Sequence, residues 1–130
     1  MADLLNEIAT RVASETGFVL GTDLFVNGFP AEQVDTAIAL LDGAGTPANK
    51  KQLASIGQYD VQVISRARVA PTAKSRALLV QAALHEATGI DLGDWFLHYA
   101  EARQTPYLIG VDSAGRTEFI QHFLLRATEA

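Results

Sequence analysis

The side chains that could do chemistry in this chain are few, and their spacing argues against most of it. No two of the three histidines, His85, His98 and His122, stand at helical i, i+4 spacing. Metal sites usually show such pairs or a cluster of ligands, so a solvated or hydrogen-bonded imidazole is the default for each. His98 and His122 could meet only across adjacent strands. Gly43-Ala44-Gly45 lacks the spacing and the following Lys-Ser/Thr pair of a phosphate loop. No serine sits in a G-x-S-x-G elbow. Asp91 with Asp94, or Glu101 with Glu118, would make acid–base pairs only at a fixed separation, which nothing in the sequence sets. The absence of cysteine excludes thiol catalysis, disulfides and cysteine-ligated metals. The expectation is a protein without catalytic residues, metal or cofactor.

Charge narrows the partners. Acidic residues outnumber basic ones 15 to 10, a net charge of −5. Nucleic-acid binding needs Lys and Arg to displace counterions from phosphates, so no specific nucleic-acid binding is expected. No apolar run reaches the roughly 18 to 20 residues that span a bilayer, and no membrane partner is expected. MADLLNEIATRV has neither a basic n-region nor an apolar h-region, which predicts a chain that stays where it is made. At 130 residues the length predicts a single domain, 1–130.

The elements follow from periodicity. Residues 2–16 place Leu4, Leu5, Ile8, Ala9 and Val12 on one helical face, with Asp3 at the start and Gly17 as a stop. Residues 18–26, with a bend at Gly21, and residues 34–41 read as strands around an Asn27-Gly28 turn. In residues 59–69, Val61, Val63, Ser65, Ala67 and Val69 alternate with Gln62, Ile64, Arg66 and Arg68, the pattern of a half-buried strand. Ala70-Pro71 stops it, and Thr72 can cap a helix running to Thr88. Gly89 to Gly93 reads as a turn. Residues 94–103 alternate as a strand interrupted by Pro106, and residues 107–111 and 117–127 flank Asp112-Ser113-Ala114-Gly115-Arg116 as a hairpin. The fold class is α+β: a mainly antiparallel sheet packed with two helices, in the order helix, strands, helix, C-terminal hairpin.

Two features point outward. Residues 42–58, DGAGTPANKKQLASIGQ, form a long Gly/Pro-rich stretch with no periodicity. It is either a hairpin tip or an arm that orders on a partner, with Asp42, Gly45, Lys50 and Lys51 as the candidate contacts. The helix of residues 72–88 is apolar nearly all round. Leu78, Leu79, Ala82 and Ala83 line one side, and Ala73, Ala77, Val80, Leu84 and Ala87 continue behind them. A surface helix needs a stripe only somewhat over ~100° wide, so burial on two sides is expected, with a second copy of the chain as one possible cover. Arg66 and Arg68 form a small cationic spot that either pairs with local carboxylates or lines a contact between subunits.

The order of these features resembles the bacteriophage tail terminator, or tail completion, family, often labelled minor capsid proteins. The resemblance rests on an amphipathic opening helix, LFVNGFP, ALLDGAGTP, YDVQVISRAR, SRALLVQAAL and the closing PYLIGVDSAGRTEFIQHFLL. It implies a small α+β subunit that forms a hexameric ring on the completed tail tube, stops tube polymerisation and offers a surface to the head–tail connector. It implies assembly in the host bacterial cytoplasm and a final place at the head-proximal end of the tail. It brings no catalytic residues. A head-to-tail contact repeated by a constant rotation closes a ring. On that reading Arg66, Arg68, Arg76, Val80 and Leu84 are the subunit-interface candidates, with Arg76 at the rim and Val80 and Leu84 buried between copies. A small ligand-binding or enzymatic α+β domain, or an interaction module unrelated to phage, are the alternatives.

Overall fold

The structure, a computed structural model, describes residues 3–30, 34–42 and 56–129. In chain order the elements are α1 (Leu4–Thr16), β1 (Leu24–Val26), β2 (Ala37–Asp42), β3 (Gly57–Ala67), α2 (Ala70–Leu84), β4 (Thr88–Asp91), β5 (Trp95–Ala102), β6 (Tyr107–Val111) and β7 (Thr117–Glu129). The described strands form one sheet in the order β1-β2-β3-β7-β5-β4, with β6 also on β7. All of their pairings are antiparallel except that of β1 with β2.

The last strand is the sheet's axis. Along one edge β7 pairs with β3 over its length, Gly57 opposite Ala127 and Ala67 opposite Thr117. Its other edge is shared end to end by β5, opposite residues 123–129, and β6, opposite residues 117–120. Pro106 lies between them. A proline cannot donate to a ladder, so the line breaks there and resumes at Tyr107.

Both helices pack on one face. The period-two pattern of β3 sends Val61, Val63, Ser65 and Ala67 inward, and that of β7 sends Gln121, Phe123, Leu125 and Ala127 to the same side; all are buried. Leu5, Ile8 and Val12 of α1 and Val80 and Leu84 of α2 close over them in one core. Asp3 caps α1 by accepting the Leu5 N–H, and Gly17 ends it in the left-handed region at φ 83°. Ala73 and Ala77 bring the α2 backbone against the sheet. The Ser65 hydroxyl donates to the Ala73 carbonyl and the Gln121 amide to the Ala77 carbonyl, both at 2.8 Å. Each carbonyl has a second lone pair beyond its helical bond, so it can take the buried Ser65 hydroxyl or the buried Gln121 amide N–H where larger residues would hold the layers apart, while the Gln121 Oε1 has no hydrogen-bond partner among the described residues.

Three local expectations change. Of residues 18–26 only Leu24–Val26 are a paired strand. The stretch before them is a turn in which the Val19 carbonyl accepts from Thr22, Asp23 and Leu24 and the Asp23 carboxylate takes the Val19 N–H at 2.7 Å. The second helix begins at Ala70, not after a Thr72 cap, because Pro71 needs no acceptor in a first turn. It ends at Leu84, and residues 88–91, expected as helix end and turn, join the sheet as β4. Glu86 at φ 63° turns the chain there, and its N–H donates to the Ala100 carbonyl.

Candidate functional site

The histidines do not converge. His85 Nδ1 accepts the Ala102 N–H at 3.0 Å, His98 Nε2 lies 2.7 Å from the Thr128 hydroxyl, and His122 stacks on Tyr107. Among the described residues no group of three or more His, Cys, Asp or Glu could hold a metal. Glu101 faces Leu124 and Glu118 faces Arg66. Six residues of β7 therefore separate the two carboxylates, roughly 20 Å at strand rise, about twice the widest spacing used in glycoside hydrolysis. Asp91 accepts the Gly93 N–H as a turn cap.

Charge gathers instead where the β6–β7 turn meets the entry to β2. Arg66 is buried; its Nε donates to the Val34 carbonyl at 3.1 Å and its guanidinium lies 3.7 Å over the Phe29 ring. Arg116, also buried, donates to the same carbonyl at 3.3 Å and to the Asp112 carboxylate at 2.7 Å. The other Asp112 oxygen takes the N–H groups of Ala114 and Arg116. Arg68 donates to Asp35 at 2.8 Å and to the Ala114 carbonyl at 3.1 Å. Burial lowers the Arg66 pKa from its ordinary value, with the nearby Arg116 charge acting the same way. The Arg116 N–H groups hold the Asp112 carboxyl below the usual range, though burial opposes them. The bond to Asp35 raises Arg68. The cationic spot is thus taken up by pairing inside the subunit, and its work is to fasten the β6–β7 turn to the segment before β2.

The helix candidates need correction. Val80 and Leu84 are fully buried among the chain's own core residues, against the expectation that they meet another copy. Arg76 pairs with Asp23 at 3.0 Å and lies 4.2 Å over the Phe18 ring, with part of its side chain exposed. Arg66 is likewise buried, and only Arg68 of the five candidates keeps a largely exposed side chain. The outward apolar side of α2 is Leu78 and Leu79, at 43% and 47% exposure, which with Pro71, Lys74 and Ser75 line a shallow groove. Asp42 ends β2, and its carboxyl pKa is raised by burial and by Asp3. Gly45, Lys50 and Lys51 lie outside the described residues.

A further exposed apolar surface is one the sequence reading named only as half of a hairpin. In β6, Tyr107, Leu108, Ile109 and Val111 are each 44% exposed or more. Of the described strands it pairs with β7 alone, and it contains no charge. Natural edge strands are usually blunted by lysine, proline or an inward charge. Its alternation was legible; its place at an edge depended on the end-to-end sharing of β7 with β5.

Comparison with known proteins agrees with this architecture. One solved structure, described as the virion of a native gene transfer agent particle, contains a chain that superposes with a TM-score of 0.63 at 19% identity. The match covers 98% of this chain and 95% of that one, and at such identity it speaks for the fold. No curated protein sequence matches. The profile of the bacteriophage tail terminator proteins matches residues 11–128, and the chain belongs to that family.

Proposed function

We propose that this subunit closes head-to-tail with identical copies into a hexameric ring on the end of a completed tail tube. The ring ends polymerisation of the tube protein and presents a surface to the head–tail connector. The chain is a structural tail protein of a phage-like virion, and membership of such a family speaks for a non-enzymatic role. The observation that carries the ring reading is the family match over nearly the whole chain, on a subunit that leaves β6 and the outer side of α2 uncovered. The acidic balance suits a ring through which DNA passes without sticking. Arg68 remains a candidate for the contact between copies. Asp42, Gly45, Lys50 and Lys51 remain candidates for contact with the tube or the connector. Assembly takes place in the host cytoplasm, and the finished ring sits at the head-proximal end of the tail.

Negative-stain microscopy of the purified protein, alone and mixed with tail tubes, tests this. Rings of six on tube ends, with tubes that no longer lengthen when tube protein is added, are the expected result. Tubes that keep growing in its presence would overturn it.

A further inference from the structure

The sheet carries a second exposed apolar patch, at the edge opposite β6. The turn before β1 leaves Val19 and Leu20 exposed at 56% and 46%. That turn lies along the outer side of β1, where Leu20 bridges to Leu24. The Gly21 N–H donates to the Leu24 carbonyl at 2.8 Å, and the Leu24 N–H to the Val19 carbonyl at 3.2 Å. The pairing register then runs Leu24 to Ile38, Ile38 to Ser65, Ser65 to Phe119, and Phe119 to Leu108. Leu20 and Leu108 therefore end one row of paired positions across the sheet, five spacings or about 24 Å measured along it. Three charge pairs nearby are already made inside the subunit: Asp23 with Arg76, Asp112 with Arg116 and Arg103 with Asp60.

From this row we infer the contact between copies: Leu108, with Ile109, of one subunit packs against Leu20, with Val19, of the next. The inference rests on the ring reading and gives it a surface. A second copy is the occupant because it alone brings the opposite patch at the same level in equal number. Ring closure then covers both patches of every subunit, whereas a different partner on β6 would leave Val19 and Leu20 bare. Two different patches at opposite edges make a head-to-tail contact, the kind that closes into rings. With these carboxylates and guanidiniums paired, apolar burial supplies the attraction at both patches.

The test uses two charge substitutions, Leu20→Glu and Leu108→Lys, read by sedimentation of the chain alone and by microscopy on tail tubes. Both sites are exposed, so circular dichroism should show folded subunits. Each variant alone should weaken ring formation by roughly a hundredfold, because every contact would bury an unpaired charge. An equimolar mixture of the two should recover rings. Alternating copies then pair the ammonium introduced by Leu108→Lys with the carboxylate introduced by Leu20→Glu at one contact, and keep the native residues at the next. The same substitutions combined in one chain should recover them too. Val19→Glu with Ile109→Lys repeats the design should either first variant misfold. Single variants that form rings like the wild type, or lost rings that no mixture restores, would overturn the contact while leaving the ring reading intact. Unfolding of both variants at either edge would place that edge in the interior and overturn it as well. A wild type that forms no ring, alone or on tubes, would take both down together.

Discussion

Arg66 and Arg116 donate to one acceptor, the carbonyl oxygen of Val34, from neighbouring positions at 3.1 and 3.3 Å. Two like charges share this spot because each has its own compensation: Phe29 lies under one guanidinium and Asp112 pairs with the other. The planar, multi-donor shape of arginine is what the site uses. Arg66→Lys should therefore cost nearly as much stability as Arg66→Met, about 1 to 3 kcal/mol, since an ammonium cannot lie flat on the ring. Urea unfolding of the two variants checks this, and a neutral Arg66→Lys would contradict it.

Two aspartates should respond to acid with opposite sign. Asp112 is held below the ordinary carboxylate range by its bonds from Arg116 and Ala114. Its stabilisation is full above the unfolded value near about pH 4 and is lost as pH falls through the lower folded value. Asp42 has a raised folded pKa, from burial and then Asp3. It therefore weakens the fold as pH rises from the unfolded value through the raised one. Asp112→Asn should be less stable than wild type at pH 7, and Asp42→Asn slightly more stable. Both differences should shrink on acidification toward about pH 3. Thermal melts at pH 7 and pH 3 read both signs, and parallel offsets at the two pH values would refute the assignment.

What the sequence disclosed was whatever a period could carry. The inward face of α1 and the alternations of β3 and β7 each have one apolar side, and the structure buries it, while the β6–β7 pairing forms as the hairpin signal indicates with β6 left exposed. The inward side of α2 was not legible because apolar residues run all round it. The sheet decides that side: Ser65 and Gln121 need helix carbonyls at hydrogen-bond distance, so the small Ala73 and Ala77 turn in. Val80 and Leu84 follow them into the core, and Leu78 and Leu79 turn out. The fourth strand was missed because Gly89 reads as a turn, while its pairing comes from β5. The ion cluster joins residues more than thirty positions apart, which no local pattern shows.

The chain should bind duplex DNA no better than weakly. Of its arginines, Arg66, Arg68, Arg76, Arg103 and Arg116 are engaged by carbonyls or carboxylates of the subunit, and the net charge is −5. Little cationic surface is left to release counterions from phosphates. Fluorescence anisotropy with a labelled duplex at near-physiological salt should give a Kd weaker than about 1 μM, outside the range of specific binders. Tighter binding would contradict the reading of a ring that DNA crosses without adhering.

The two sides of α2 should answer differently to a charge. Val80 and Leu84 are fully buried in the subunit core, so Val80→Glu or Leu84→Glu places a carboxylate where no partner waits. Each should cost more than about 4 kcal/mol, enough to unfold a domain of ordinary stability. Leu78→Glu and Leu79→Glu put the same charge on positions left nearly half exposed, and the loss should stay within about 1 kcal/mol. Circular dichroism and urea midpoints for the four variants settle which side is inside. If the leucine pair at 78 and 79 also faces a neighbour in the ring, its two variants will be folded subunits that assemble poorly. If they are folded and assemble fully, α2 is not part of the contact and the exposed leucines face solvent in the ring. Folded Val80→Glu and Leu84→Glu subunits would contradict the packing of α2 on the sheet.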